Sequence, residues 1–430
     1  MLSEDIRKSI VALVRREVVP AIGCTEPVAV ALCVARATEL LGSRPARIEV
    51  ALSSNMLKNA LGVGIPGTGM VGLPIAIALG AIVGRSEYGL EVLRDVTPEA
   101  VALGREFIAD GRIAISLDPA APSKLHIDVK VVSDDGRSDA RAVISCEHTR
   151  FVRLEKDGEV IMEERASDCG DEADCHTAPE LDLATVYEFA TESPLAEIDF
   201  ILEARRLNEA AARLGLDGDY GHALGATIRS CGTRYYGDTP VEHMLAFTSA
   251  ACDARMGGAR VAVMSNSGSG NQGIAATMPV VSFAEDTGAS EEQTIRALML
   301  SHLASIYIKQ SLGRLSALCG CVVASTGASA ALVYLMGGGY DEVCAAVKNM
   351  IANLTGMICD GAKPSCALKI TSGVTTAMMS AMMAINGKCA TSAEGIVSDD
   401  VDATIRNLTS IGREAMNETD ALVLNIMTSK

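Results

Sequence analysis

The sequence contains no tryptophan, and aromatic residues make up only 3% of its 430 positions. Platforms on which unpaired bases stack need aromatic side chains. The chain also lacks a basic excess, because 37 Lys and Arg residues stand against 54 Asp and Glu residues, a net charge of −17. A phosphate backbone requires a basic face, and the basic cluster Arg44–Arg47 is too small to supply one. These absences argue against a nucleic-acid partner and favour a small-molecule function.

Long apolar runs are also scarce. The first twenty residues carry charges throughout and lack the apolar core of a signal peptide, so we expect a cytoplasmic protein. GLPIAIALGAIVG (residues 72–84) is too short to span a membrane. Residues 315–340 are uncharged and long enough, but they contain several Gly, Ser and Thr residues and have no flanking aromatic belt. We therefore expect no membrane span and predict a buried central helix there.

The thirteen cysteines do not follow a familiar metal-site spacing. A cytoplasmic chain of this length is not expected to hold a disulfide framework, and it contains no Cys-x-x-Cys pair. Cys321, Cys359 and Cys366 are 38 and 7 residues apart, at predicted helix ends. Spacing alone favours three buried thiols. The alternative is that three thiolates bind three irons of a cubane cluster and leave the fourth iron open to a substrate atom.

The hydrophobic pattern predicts an α+β fold in three parts. Residues 1–110 are predicted to form a mixed layer of helices and strands, with a strand at RIEVALSS. Residues 111–181 alternate with period two, carry the turn sequences DDGR and KDGE, and end in an acidic linker. This predicts three or four antiparallel strands. The linker's candidate zinc ligands are only Cys169, Cys175 and His176, too few to predict a site. Residues 182–430 are predicted to be helical and to carry the candidate metal site.

The segment AIGCTEP (residues 21–27) places a cysteine at the predicted start of a helix. The positive end of the helix dipole is expected to lower the pKa of the Cys24 thiol, which would make it a usable general base or nucleophile. A half-buried helix cap in which Cys24 only fills space is equally compatible with these residues. The segment therefore nominates Cys24 without assigning it a role.

Two polar segments are candidate ligand loops. SSNMLKN (residues 53–59) follows a predicted strand and groups donors that suit a small carboxylate, although an ordinary helix cap explains it equally well. SNSGSGNQG (residues 265–273) carries Asn and Gln around its glycines, which is more typical of a ligand loop than of a linker. GIPGTGMVG (residues 64–72) lacks the Gly-Lys-Ser/Thr end of a P-loop, so no nucleotide cradle is predicted. His243 and His302 lie on predicted helices and are expected to be structural.

Taken together, six motifs make the chain resemble the L-cysteine desulfidase family, also called UPF0597. In chain order they are AIGCTEP, SSNMLKN, GIPGTGMVGLP, SNSGSGNQG, ALCGC and GMICDGAKPSC. They extend from residue 21 to residue 366, and GREAMNETD near the end is also similar to that family. The family is related to the bacterial iron–sulfur L-serine dehydratases, which carry a similar helical catalytic domain with three cysteine ligands.

The resemblance implies that L-cysteine is converted to pyruvate, ammonia and sulfide with a [4Fe–4S] cluster and no pyridoxal phosphate. It implies that Cys24 is the base and that Cys321, Cys359 and Cys366 bind the cluster. Cys319 is a second candidate within LCGC. The dehydratases have a Gly-Cys pair twelve residues after a lysine, and Lys309 precedes Cys321 by twelve, which favours Cys321. The residues expected to bind the amino-acid substrate are Thr25, Glu26, Ser53, Ser54, Asn55, Lys58, Asn59, Thr68, Asn266, Ser267, Ser269, Asn271 and Gln272.

The implied mechanism is an elimination. The open iron would bind the substrate sulfur, a Cys24 thiolate would remove the α-proton, and the two polar segments would hold the carboxylate and ammonium groups. Asn and Ser donors suit a carboxylate in a site without a spare arginine. Two other functions stay open, namely a serine dehydratase-like deaminase acting on another small amino acid and a non-catalytic amino-acid sensor. A homodimer is also compatible with the sequence.

Overall fold

The structure, a computed structural model, describes residues 2–164, 179–313 and 316–429, and it confirms the α+β class. The predicted linker residues Cys169, Cys175 and His176 lie outside the described residues. The helices are α1 (Glu4–Glu17), α2 (Thr25–Leu41), α3 (Ser54–Ala60), α4 (Leu73–Ile82), α5 (Pro98–Ala109), α6 (Leu183–Glu192), α7 (Leu195–Ile198), α8 (Leu202–Asp217), α9 (Leu224–Tyr235), α10 (Pro240–Met256), α11 (Gly270–Thr287), α12 (Glu291–Leu312), α13 (Gly320–Leu335), α14 (Tyr340–Leu354), α15 (Cys366–Ile385), α16 (Val401–Ser410) and α17 (Asn417–Thr428). The strands are β1 (Pro20–Ile22), β2 (Arg47–Leu52), β3 (Gly64–Ile65), β4 (Met70–Val71), β5 (Ile113–Leu117), β6 (His126–Val132), β7 (Asp139–Ser145), β8 (Phe151–Lys156), β9 (Glu159–Glu163) and β10 (Ala262–Met264).

A six-stranded sheet organises the N-terminal third of the chain. Its order is β5-β2-β6-β7-β8-β9, with β2 parallel to β5 and every other pair antiparallel. The expectation of three or four antiparallel strands was incomplete, because β2 lies between β5 and β6 and adds a parallel pair. The sheet therefore crosses the predicted boundary near residue 110.

Helix α2 connects this sheet to the rest of the N-terminal layer. It packs against β6 and β7 on one side and α4 on the other. Its sequence, TEPVAVALCVARATELL, is apolar on almost every face, as expected for a helix with protein on both sides. A side chain at Gly80 of α4 would place its Cβ 2.6 Å from the Ala31 carbonyl oxygen, so the glycine permits this close approach. The start of α2 is consequently held firmly, and with it Cys24.

The predicted central helix is confirmed. Helix α13 is buried and packs against α11, α12, α14 and α15. A Cβ at Gly327 would lie 2.3 Å from the Ser301 carbonyl oxygen, so α12 and α13 touch through a glycine. Within the described residues, one helix, α15, is long and apolar enough to cross a membrane, but half of that stretch is buried against protein, as in the core helix of a folded domain.

Two of the contacts between the N-terminal layer and the helical part position the site. Strand β1 pairs with β10, which brings the chain before Cys24 beside the start of the 265–273 segment. Helix α3 packs against α17 and against the loop at 359–363. Distant motifs of the sequence therefore meet at the junction between the two parts.

Candidate functional site

The β1–β10 pair sets Cys24 against the polar segment 265–273. Backbone bonds extend the pairing, from Ser265 N to Val19 O (2.9 Å) and from Ser267 N to Glu17 O (2.9 Å). Thr25 Oγ1 then donates to the Gly268 carbonyl oxygen at 3.3 Å. Two segments more than 240 residues apart in the chain thus form one wall of the site.

The Cys24 thiol is almost completely buried, with 3% exposure, and it precedes the first turn of α2. It donates to Glu26 Oε2 at 2.9 Å. Burial and the Glu26 carboxylate raise the pKa of Cys24 well above its ordinary value, and the Arg255 guanidinium opposes them. The expectation that the helix dipole lowers this pKa was wrong, because desolvation and a nearby carboxylate outweigh the dipole.

The Glu26 carboxylate connects the residues of this wall through its hydrogen bonds. Thr25 Oγ1 lies 3.1 Å from Oε2 and shares its single proton between that oxygen and the Gly268 carbonyl oxygen, and Glu26 Oε1 accepts from Asn59 Nδ2 (3.2 Å). Because a carboxylate is only an acceptor, Asn59 must present its amide nitrogen to Glu26. Asn59 Oδ1 is then left buried without a hydrogen-bond partner. The site therefore contains an acceptor without a donor.

The predicted ligand segment 53–59 is mostly engaged within the protein. Ser53 Oγ donates to Lys124 O (2.7 Å) and accepts from His126 N (3.2 Å), so it serves the sheet. Ser54 begins α3 and is half-buried. Only Asn59, of the five predicted residues, reaches the Cys24–Glu26 pair.

Asn55 and Lys58 point to the C-terminal helix. Asn55 Nδ2 donates to Asp420 Oδ2 at 3.0 Å, and Lys58 Nζ forms a short ion pair with the same carboxylate. Lys58 Nζ also donates to the Cys359 carbonyl oxygen at 3.4 Å. The Lys58 side chain is 1% exposed. It connects α3, α17 and the cysteine loop rather than lining an open ligand loop.

Thr68 has a local role. Its Oγ1 donates to Ile65 O (2.7 Å) and accepts from Met70 N (3.0 Å), which closes the β3–β4 hairpin. The structure does not bring its side chain into contact with the other predicted site residues.

The 265–273 segment forms an internal amide network. Asn266 Oδ1 accepts from Ser267 Oγ (2.9 Å) and from Gln272 Nε2 (2.9 Å), while Ser269 caps α11 by accepting from Gln272 N (3.3 Å). Gln272 Oε1 is left buried without a partner, and it lies 3.0 Å from the position that a Cβ would take at Gly320. The network therefore directs a second unpaired acceptor toward the start of α13.

Hydrogen bonds at both ring nitrogens of His302 support this network. Its Nδ1 is 3.1 Å from Asn266 Nδ2, and its Nε2 is 3.0 Å from Thr277 Oγ1, which itself donates to Gly273 O. Burial lowers the pKa of His302 to about 3, so the ring is neutral and these contacts require the Nε2–H tautomer. His302 is thus a satisfied core histidine, as expected.

Asn271 holds a buried arginine that the sequence reasoning missed. Its Oδ1 accepts from Arg255 Nη1 at 2.9 Å and from the Cys252 thiol at 3.6 Å. Arg255 is 3% exposed. The expectation of a site without a spare arginine was wrong, because Arg255 stands in the last turn of α10, outside every motif that the sequence singles out.

The cysteine segments meet through a short antiparallel bridge between Leu318 and Ile358. Cys319 N donates to Met357 O (3.0 Å), and Cys359 N donates to Ala317 O (2.6 Å). Cys366 begins α15, where its thiol lies 3.6 Å from Gly361 O. Cys319 thus precedes α13, Cys359 lies between α14 and α15, and Cys366 begins α15.

The Cys319 thiol interacts with the thiols of both Cys359 and Cys366, and Cys321 interacts with that of Cys366. Burial, and after it Cys319, raise the pKa of Cys359, and burial raises that of Cys366 to about 11 with Cys319 and Cys359 contributing. Cys321 lies within α13, where its thiol is 3.1 Å from Met357 Sδ and 3.6 Å from Lys369 O. Its hydrogen bond to Cys319 lowers the pKa of Cys319. The spacing from Lys309 had favoured Cys321, and the geometry favours Cys319.

Within the described residues, the three thiols do not form a compact site for a single metal ion. Within the described chain, three candidate ligand atoms lie within 4.8 Å of one another only at Asp238, Glu242 and His243. A single zinc, with Zn–S bonds of about 2.3 Å, would hold its sulfurs less than about 4.6 Å apart. Ten of the described cysteines are free. Three free thiols brought together by the Leu318–Ile358 bridge and the start of α15, beside two unpaired buried acceptors, fit a polynuclear iron–sulfur group better than a single ion.

Comparisons with known proteins identify relatives of this chain. A family model described as the serine dehydratase alpha chain matches residues 87–425. A UPF0597 protein of Bacteroides thetaiotaomicron is 61% identical over 430 residues, covering 99% of each chain. A UPF0597 protein of Bacteroides fragilis is 60% identical over the full length of both chains, and one of Shewanella halifaxensis is 45% identical over 97% of each. The chain belongs to the UPF0597 family.

Membership also relates the chain to the serine dehydratases, as the motifs indicated, and it suggests a lyase of the dehydratase type. The matched region of the UPF0597 chain starts after Cys24 and α3, and includes Arg255, the cysteine segments and Asp420. The missed residues had only weak signals in the sequence. Asp420 lies in NETD, a segment that only the family resemblance singles out. Arg255 is a single charged residue near the end of a mostly apolar helix.

Proposed function

We propose that this UPF0597 protein is an L-cysteine desulfidase that uses a [4Fe–4S] cluster and no pyridoxal phosphate. The overall reaction is L-cysteine plus water to pyruvate, ammonia and hydrogen sulfide. The observation that carries the proposal is the junction itself, where the Cys24–Glu26 pair, two unpaired amide oxygens and three converging thiols meet. A non-catalytic sensor would need the amide oxygens but has no evident use for the buried thiol–carboxylate pair.

Cys319, Cys359 and Cys366 would hold the cluster. The Leu318–Ile358 bridge joins the segments of Cys319 and Cys359, Cys366 begins α15, and Lys58 donates to the Cys359 carbonyl oxygen. When bound by three thiolates, the cluster supplies an open iron that acts as a Lewis acid toward the substrate's leaving group. We assign Cys319 in place of Cys321 because Cys319 lies at the bridge that joins the two cysteine segments.

Cys24 and Glu26 would handle the α-proton. The thiol already donates to Glu26 Oε2, so its proton can pass to that carboxylate and leave a thiolate. The thiolate then accepts the α-proton while the C–S bond breaks, which gives aminoacrylate and sulfide. Aminoacrylate becomes an imine that water hydrolyses to pyruvate and ammonia. The high pKa of Cys24 makes the thiolate a strong base once it is formed.

The substrate's ammonium group is the partner for the unpaired acceptors. Asn59 Oδ1 and Gln272 Oε1 are buried, and each is fixed by a hydrogen bond from its own amide nitrogen. A charged donor that meets such acceptors is worth roughly 1.5–3 kcal/mol per bond. These acceptors support our proposal that a small α-amino acid occupies the site with its side chain toward the thiols.

The test is an anaerobic assay on protein with counted iron and acid-labile sulfide. Pyruvate and sulfide should appear together from L-cysteine in equal amounts, and the cluster content should track the rate. L-serine is the matched comparison, since it differs by one atom and releases water. Pyruvate from L-serine at a higher kcat/KM than from L-cysteine would make the protein a serine dehydratase, and saturable binding without product would make it a sensor.

A further inference from the structure

A buried positive charge stands beside the reacting residues without a counter-charge. Arg255 is 3% exposed, and its Nη1 donates to the neutral amide of Asn271. Its Nε has no hydrogen-bond partner, and Arg255 forms no ion pair with a carboxylate of the described residues. A guanidinium taken out of water without an anion is strongly destabilising. The arrangement is therefore incomplete without an anion.

The start of α11 adds to this positive charge. A Cβ at Gly270 would lie 2.3 Å from Arg255 Nε and 2.7 Å from its Cζ, so only glycine lets the guanidinium lie against the first residue of this helix. The first amides of a helix have no intrahelical acceptor, and its N-terminus carries partial positive charge. Helix α11 is eighteen residues long and is capped by Ser269. Two positive groups thus meet at one buried point.

That point belongs to the site. The Arg255 charge lies close enough to Cys24 and Cys252 to lower the pKa of both thiols. Cys366 and Cys319 lie close enough to Cys252 to raise its pKa. Asn271, which holds Arg255, precedes Gln272, whose Oε1 is one of the unpaired acceptors. The unpaired Arg255 Nε suits a carboxylate, and the unpaired oxygens Asn59 Oδ1 and Gln272 Oε1 suit an ammonium group. One small molecule that carries both groups would satisfy all three atoms.

We propose that Arg255 binds the α-carboxylate of the substrate, so that the site requires a free L-amino acid. The proposal rests on the proposed function for the identity of the reaction but not for the binding itself. A guanidinium presents donors in a planar fork that matches a carboxylate. Asn271 occupies Nη1 and leaves the Nε edge for the ligand. The Cys24 thiol is a weaker candidate for this anion, because it is already bonded to Glu26.

The experiment compares L-alanine with L-alaninamide, which lacks the carboxylate; neither carries a leaving group. Binding is measured by anaerobic calorimetry on cluster-loaded wild type, Arg255→Gln and Arg255→Lys, with Arg213→Gln as the control at an exposed arginine of α8. Wild type and Arg213→Gln should prefer alanine by about 10- to 100-fold. Arg255→Gln should bind both equally weakly, and Arg255→Lys should keep part of the preference. Equal binding by wild type, or an unchanged preference in Arg255→Gln, overturns the proposal.

Asn271→Asp is a second variant that does not depend on how Arg255→Gln folds. It places a carboxylate where the amide oxygen already meets Nη1, so it should neutralise the guanidinium, raise the resistance to urea and weaken alanine binding. Unchanged alanine affinity in this variant contradicts the proposal. If Arg255 serves only the Cys24 thiolate, Arg255→Gln slows alkylation of Cys24 by iodoacetamide and leaves the alanine preference intact, which also overturns it.

Turnover of L-cysteine in the same preparations separates the two proposals. No sulfide from wild type, together with an alanine preference that depends on Arg255, would disprove the desulfidase and keep the carboxylate site. Sulfide from both wild type and Arg255→Gln with the same KM would keep the desulfidase and disprove the role of Arg255.

Discussion

At the residue scale, the environment of Cys24 determines how the activity should depend on pH. Burial and the Glu26 carboxylate raise the pKa of the thiol, so the thiolate fraction is small at neutral pH and grows as pH rises. If the thiolate is the base, kcat/KM for L-cysteine should increase with pH beyond about 8.5, the ordinary value for a cysteine. Glu26→Gln removes the carboxylate that accepts the Cys24 proton, so it should lower kcat at neutral pH; because it also removes the opposing negative charge, the rise that remains should move to lower pH. Cys24→Ala should lose turnover and keep the cluster absorbance.

The control for this pH profile is Glu106→Gln, at an exposed carboxylate of α5, which should leave the rise where it is in wild type. A profile that falls between pH 7 and 9, or that Glu26→Gln does not move, would exclude Cys24 as the base.

The two cysteines of LCGC provide a matched pair of variants. Cys319 is half-buried and lies at the bridge between the cysteine segments. Cys321 is buried and is the second residue of α13. Cys319→Ala should therefore lose iron and sulfide and reduce turnover to background. Cys321→Ala should retain the cluster and most of the activity. Iron counts and visible absorbance under anaerobic conditions measure this, and the reverse result would restore the choice made from spacing.

At the element scale, α17 is fastened to α3 by the buried Lys58–Asp420 pair. Asp420→Leu leaves a buried ammonium group without its partner and should lower the free energy of unfolding by about 3–5 kcal/mol. Replacing both residues, as in Lys58→Met with Asp420→Leu, should restore most of that stability, because buried pairs can be exchanged for apolar groups. Urea unfolding of the cluster-free protein measures both.

An exposed acidic residue on the same helix is the control for that series, and Glu418→Leu should change stability by less than about 0.5 kcal/mol. The double variant should still bind the cluster less well than wild type, since Lys58 Nζ no longer contacts the Cys359 carbonyl oxygen. Full recovery of iron content in the double variant would show that Lys58 has only a structural role.

At the scale of the whole molecule, binding of the cluster should stabilise the folded helical part. A group that binds only the folded state stabilises it, and the proposed ligands come from the starts of α13 and α15 and from the loop between α14 and α15. Removing iron with a chelator should lower the Tm and release hydrogen-exchange protection at residues 316–320 and 357–366. Strands β6 and β7 belong to a separate hydrophobic core and should keep their protection. Equal loss in both regions would contradict the proposed location.

The architecture was largely accessible from local patterns. Apolar periodicity and turn sequences predict the mixed N-terminal layer, the strand at residue 47 and the buried helix α13, because each depends on neighbours along the chain. The insertion of β2 between β5 and β6 was not accessible, because it depends on pairing across some 70 residues. The same limit applied to the site: Asn59 and Gln272 lie in recognisable polar motifs, whereas Arg255 and Asp420 acquire their roles only from partners far away in sequence.

The sequence by itself determined the α+β class, the family and the set of polar motifs, since these depend on residue types in chain order. Only the tertiary structure brings the Cys319 and Cys359 segments together, raises the pKa of Cys24 and sets a buried arginine beside it. Desolvation and distance control those properties, and both arise only when the chain has folded.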